Sequence, residues 1–208
     1  MHVRHEVARL LLQLGAVSIS VDQPFRYASG KSGPIYCDNR LIISYPEERQ
    51  RVVGYLVDKL DAEVGRDAFD VVAGTATAGI PYAAWVADRL GKPMIYVRGA
   101  AKDHGRGQRI EGRLLPGQRV VVVEDLVTTG GSSLSTVEAI RPAGVVVACA
   151  AIFTYELPVA QRSFAEQGVR LLALTDLSAL MEVAISDGYL KAEQRDLVRE
   201  EIARAFEV

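Results

Sequence analysis

Apolar residues recur along the chain in two rhythms. In residues 4 to 14, Val7, Leu10, Leu11 and Leu14 follow helical spacing, and Val52, Val53, Leu56 and Leu60 repeat it in 46 to 60, where Pro46 suits a first helical turn. From residue 70 the rhythm changes. Short apolar runs at 71 to 73, 94 to 97, 120 to 124, 145 to 153 and 171 to 174 read as strands. Between and after them come helical patterns near 80 to 90, 132 to 141, 157 to 168, 176 to 185 and 192 to 206. Strand and helix in alternation predict an α/β protein with a mainly parallel sheet, right-handed crossovers and helices on its faces. No internal repeat or long linker breaks the pattern, and 208 residues fit one domain.

The densest chemistry lies at residues 120 to 132, VVVVEDLVTTGGS. Four valines predict a strand covered on both faces, and Glu124 and Asp125 at its carboxyl end should sit at the sheet rim, where ligands bind. Carboxylates there can accept hydrogen bonds from sugar hydroxyls or meet a hydrated Mg²⁺. Thr128, Thr129, Gly130, Gly131 and Ser132 then supply hydroxyls and open backbone N–H groups at a helix start, a cradle for phosphate. Acids that bind a diol beside a phosphate cup point to a sugar phosphate. Neither a Gly-Lys-Ser/Thr nor a Gly-x-Gly-x-x-Gly after a strand occurs, which weakens nucleoside triphosphate and dinucleotide readings.

Composition narrows the partners. The formal charge is -2 with 24% charged residues, and no basic stripe marks a nucleic-acid face. The apolar run in MHVRHEVARLLLQLGAV is too short and too charged for a signal or a membrane span, so a cytoplasmic protein with no membrane partner is expected. Cys37 and Cys149 lie far apart in apolar surroundings and read as buried thiols; His2, His5 and His104 do not have metal-ligand spacing. Residues 99 to 113, GAAKDHGRGQRIEGR, are polar and rich in Gly, Lys and Arg, a long loop able to act as a lid.

The 120 to 132 pattern resembles the phosphoribosyl-pyrophosphate (PRPP) signature of type I phosphoribosyltransferases, and three other segments agree. Residues 25 to 40, FRYASGKSGPIYCDNR, resemble the N-terminal motif of orotate phosphoribosyltransferases; from the residues alone they also fit a β-hairpin turn. Residues 74 to 81, GTATAGIP, join a strand to a helix and can hold a second phosphate group, and YVRGAAKDHGRG at 96 to 107 is similar to the family's catalytic loop.

The resemblance implies the type I fold with a small N-terminal hood from residues 1 to 45, and a Mg²⁺-dependent transfer of ribose 5-phosphate from PRPP to orotate. It places catalysis on Lys102, His104, Arg98 and Asp125. PRPP binding adds Glu124, Leu126, Val127, Thr128, Thr129, Gly130, Gly131, Ser132, Thr75, Ala76 and Thr77. Orotate would meet Thr128, Tyr36 and Cys37, and Mg²⁺ would come with PRPP, reaching Asp125 through water rather than binding protein directly. A non-proline cis peptide is implied at Ala76-Thr77, and a homodimer in which the 99 to 109 loop closes on the partner's site.

The chain departs from one branch of the family, with Ala28, Ala78 and Gly99 where lysines stand, and Phe153-Thr154-Tyr155-Glu156 where an orotate-contacting Arg is found. Two other readings share the PRPP site. A purine or xanthine phosphoribosyltransferase is disfavoured by 25 to 40, and a PRPP-sensing regulator by the Lys102/His104 loop and the absence of a basic element.

Overall fold

The structure, a computed structural model, describes residues 3–27, 30–99 and 109–206. Its centre is a six-stranded sheet in the order β10-β9-β8-β5-β6-β7. These strands are β5 (Val71–Thr75), β6 (Met94–Val97), β7 (Ile110–Glu111), β8 (Gln118–Val127), β9 (Gly144–Thr154) and β10 (Arg170–Asp176). All pairings are parallel except β6 with β7. The helices are α1 (Val3–Gln13), α2 (Pro46–Glu63), α3 (Gly79–Leu90), α4 (Gly131–Ile140), α5 (Pro158–Glu166), α6 (Leu177–Ser186) and α7 (Arg195–Phe206).

Alternation along β8 divides the core in two. Val121 and Val123 pack with α1, α2, α3 and α6 on one face, whereas Val120 and Val122 pack with α4 and α5 on the other. The chain leaves β5 for β6 in one direction and leaves β8 for β9 in the other. Between β5 and β8, therefore, the connections diverge to opposite faces and open a crevice at the carboxyl ends of the strands.

The hood is built from short antiparallel pairs. β1 (Val17–Ile19) pairs with β4 (Ile35–Cys37), and β2 (Phe25–Arg26) pairs with β3 (Ser32–Gly33). The 25 to 40 segment thus contains a hairpin, and its extended part is β4. A 3-10 turn, Asn39–Ser44, then leads into α2, capped at its start by the Asp38 side chain. Among the described residues no helix is long and apolar enough to cross a membrane.

Several expectations shift. β8 does not stop at the acids: Leu126 and Val127 pair with Phe153 and Thr154, so β9 carries the strand three residues further than the 120 to 124 run. Residues 110 and 111, expected as loop, form β7 because their backbone closes on Val97 and Tyr96. The last helix begins at Arg195, after a 3-10 turn at Ala192–Gln194.

Candidate active site

β5 ends its pairing with β8 at Gly74 opposite Val123, and the next β8 residues are the two acids. Their strand is paired on the β9 side and open on the β5 side. A cleft of about 280 Å³ fills that opening, lined by the acids, by Ala76 and Thr77 after β5, by Ser132 on α4 and by Cys37 of the hood.

Glu124 is only 5% exposed, deeper than the rim position expected for it. It is satisfied locally: Ser133 Oγ donates to its Oε2 at 3.1 Å and the Asp125 amide to its Oε1 at 3.2 Å. Burial raises the Glu124 pKa, and the neighbouring Asp125 charge raises it further; burial likewise raises Asp125. Two carboxyls so close in a desolvated site resist ionising together, so the pair attracts a proton, a cation or hydroxyl donors. That is chemistry suited to a sugar diol or to a hydrated Mg²⁺ carried with a polyphosphate. Among the described residues no three His, Cys, Asp or Glu side chains are grouped to hold a metal.

The loop after β5 holds the opposite wall. Thr75 is 3% exposed and its Oγ1 has no hydrogen-bond partner among the described residues. The Ala76-Thr77 peptide is cis, as expected, and the Ala76 amide donates to the Val97 carbonyl at 3.0 Å. α3 then starts hard against β8. A Cβ on Gly79 would lie 2.5 Å from the Val123 carbonyl oxygen and 3.4 Å from Glu124 Oε1. Gly79→Ala is therefore expected to cost about 1–3 kcal/mol, lowering the melting temperature by several degrees, and to displace the Glu124 carboxyl. Calorimetry checks the first effect, and an unchanged melting temperature would contradict the close approach.

The 128 to 130 turn leads from β8 into α4 through Gly130, whose φ of 87° and closeness to Phe164, 2.9 Å from an added Cβ, exclude a side chain. The first turn of α4 thus points its free amides toward the end of β8.

The hood is tied to this site by residues not singled out from the sequence. Asn39 is fully buried, and its Nδ2 donates to the Asp125 carbonyl at 2.7 Å, while Tyr82 Oη donates to the Asn39 carbonyl at 2.6 Å. Asp38 and Arg40 pair at 2.6 Å and also line the cleft. The signal is the DNR string that follows β4, but only the long-range contact to β8 shows its use. Burial pushes the Cys37 thiol well up, which makes it a neutral wall rather than a nucleophile.

Residues 46–163 match the family profile described as phosphoribosyl transferase domain. An orotate phosphoribosyltransferase of Coxiella burnetii is 50% identical over 186 residues, 89% of this chain and 88% of that protein. The chain belongs to the orotate phosphoribosyltransferase family.

Solved members share its architecture. The orotate phosphoribosyltransferase from Aeropyrum pernix is 30% identical with a TM-score of 0.75, covering 88% of this chain and 99% of that one. That of Mycobacterium tuberculosis in complex with PRPP is 28% identical with a TM-score of 0.65, covering 86% and 98%.

Set against the residues expected for an orotate phosphoribosyltransferase, the cleft gathers Cys37, Ala76, Thr77, Glu124, Asp125, Leu126 and Ser132. Thr75 and residues 127 to 131 adjoin it along the chain. Tyr36 and Arg98 do not line it. Tyr36 is 42% exposed and lies against Phe25, with ring centroids 5.8 Å apart. It alternates with Cys37 across β4, so only one of the two can face the cleft. Arg98 is held at the base of the β6–β7 hairpin, its guanidinium 3.8 Å from Glu111 and its amide donating to the Arg109 carbonyl at 2.9 Å. Lys102, His104 and Ala28 lie outside the described residues.

After β9 the chain runs through Tyr155 to Glu156, which takes a left-handed backbone conformation with φ 55°. It turns to the start of α6 and accepts from the Ser178 amide at 2.8 Å. Glu156 is thus committed to a helix end.

Proposed function

We propose that the protein transfers the ribose 5-phosphate group of PRPP to orotate, giving orotidine 5'-monophosphate and pyrophosphate in pyrimidine biosynthesis. The observation that carries this reading is the Glu124–Asp125 pair, Glu124 buried and Asp125 half-buried, open toward the 76 to 78 loop and continuous with the 128 to 132 turn. One polyanionic sugar has its diol, its pyrophosphate and its 5-phosphate met by three adjacent pieces of backbone.

Glu124 and Asp125 orient the ribose through its 2- and 3-hydroxyls. Residues 128 to 132 receive the 5-phosphate on helix-start amides and hydroxyls. The backbone of residues 76 to 78, which follows Thr75, faces the leaving pyrophosphate. Charge separates as the glycosidic bond breaks, leaving the ribose cationic and the pyrophosphate more anionic, so cations fixed near the latter lower the barrier. Lys102, His104 and Arg98 fill that role, Arg98 by leaving Glu111. Asp125 would hold, through water, the Mg²⁺ that accompanies PRPP, and that ion would supply positive charge at the pyrophosphate. The base lies toward the hood, by Cys37 and Thr128 rather than Tyr36, which faces away from the cleft.

The enzyme works in the cytoplasm as a homodimer whose 99 to 109 loop serves the partner's site. Mixing Lys102→Ala with Asp125→Asn protein should then restore about a quarter of wild-type activity, because one site in a mixed dimer keeps both residues. No restoration after subunit exchange would place the loop on its own site.

With PRPP, orotate and Mg²⁺, orotidine 5'-monophosphate and pyrophosphate should appear in equal amounts. Omitting orotate should abolish both. Failure to form the nucleotide would overturn the assignment.

A further inference from the structure

We propose that Phe206 is a positioning residue for base recognition, holding the hood over the cleft through its stack on Tyr27. Tyr27 follows β2 and organises the hood hairpin from within. Its ring covers Gly33, where an added Cβ would lie 2.5 Å from Tyr27 Oη, and its hydroxyl donates to the Ile35 carbonyl at 2.6 Å. Ile35 opens β4, which runs on through Cys37 at the cleft to Asn39 on the Asp125 carbonyl. The position of the Tyr27 ring therefore sets where β4 enters the cleft.

That ring is held from outside the hood. Phe206, in the last turn of α7, stacks on Tyr27 with centroids 5.1 Å apart and planes 24° from parallel. Its ring also meets Tyr155 at 5.2 Å, and Tyr155 packs edge-on against Phe153 at 5.1 Å, at the end of β9. An aromatic chain thus links the hood hairpin, the last helix and the central sheet. None of its members belongs to the 124 to 132 segment or the 75 to 78 loop. Loss of the Phe206 ring should loosen the base side of the cleft and leave the PRPP side in place.

This inference rests on the proposed transfer to orotate, with the base against the hood. Steady-state kinetics of Phe206→Ala should show the KM for orotate raised about tenfold with kcat and the KM for PRPP within about twofold of wild type, since the lost contact serves base binding alone. Phe206→Trp should restore most of the orotate affinity. Should the alanine variant fail to fold, Phe206→Leu, which keeps bulk without the ring, is read the same way. An orotate KM within about twofold of wild type, or a parallel change of both KM values, would overturn the proposal. Failure of the proposed function itself shows separately, as absence of orotate turnover by the wild-type protein.

Discussion

Asp125→Asn is expected to lower kcat/KM for PRPP about a hundredfold while raising the melting temperature of the ligand-free protein near pH 8. The two effects share one cause. Asp125, half-buried, lies beside the buried Glu124, and loss of hydration raises the pKa of both. A carboxyl whose folded pKa lies above its unfolded value stabilises the fold while it is protonated. That contribution is complete below the unfolded pKa, about 4, and is lost as pH rises through the folded pKa. Near neutral pH the pair therefore opposes folding, and an amide, which never ionises, removes the opposition. The advantage of the variant should grow as pH rises above the unfolded carboxyl value of about 4. Activity moves the other way, because an amide accepts hydrogen bonds from a diol weakly and attracts no cation. A solvated surface carboxylate would show neither effect. Unchanged PRPP kinetics together with a flat difference in melting temperature would remove Asp125 from the site.

Lys102→Ala is expected to lower kcat about a thousandfold with little change in melting temperature. The magnitude is that of deleting one preorganised donor to a developing anion, about 3–4 kcal/mol. In the PRPP reaction the departing pyrophosphate gains charge, so a cation aimed at it acts more strongly in the transition state than in the ground state. The loss should fall on kcat, with the KM for PRPP changing less. Lys102→Arg keeps the charge on a different geometry and should recover part of the rate. A kcat for the alanine variant within about fivefold of wild type would exclude Lys102 from leaving-group stabilisation.

Legibility in the sequence follows the range of the interactions involved. The apolar runs at 71 to 73 and 120 to 123 fill strands buried on both faces, and the heptad-like spacing at 52 to 60 marks the buried side of α2. Such patterns are local and survive translation into structure. So does the glycine turn after β8, because the turn takes a positive φ that Gly130 adopts without strain. The end of β8 was harder to see. Glu124 and Asp125 look like a strand terminus, yet β9 continues the pairing to Val127, and the fate of the acids depends on a strand that follows some twenty residues later.

The site divides along the same line. Glu124, Asp125 and Ser132 announce themselves by residue type and spacing, whereas the 76 to 77 cis peptide follows only from the family resemblance. Asn39 does not, because its role requires knowing that the 3-10 turn after β4 lies against Asp125. Gly79 is equally silent, since only the closeness of α3 to β8 excludes a side chain there. Ser133 supports Glu124 from the next helix, and one residue of offset separates it from Ser132, which faces the cleft. The Arg98–Glu111 pair depends on β7, a strand too short to carry a pattern.

The most direct test of the account is pyrophosphate release by the purified protein with PRPP and Mg²⁺, with orotate, uracil, hypoxanthine and xanthine offered separately. The account predicts release with orotate alone, and its loss in Asp125→Asn protein. Release driven by a purine, or PRPP binding with no release for any base, would contradict it.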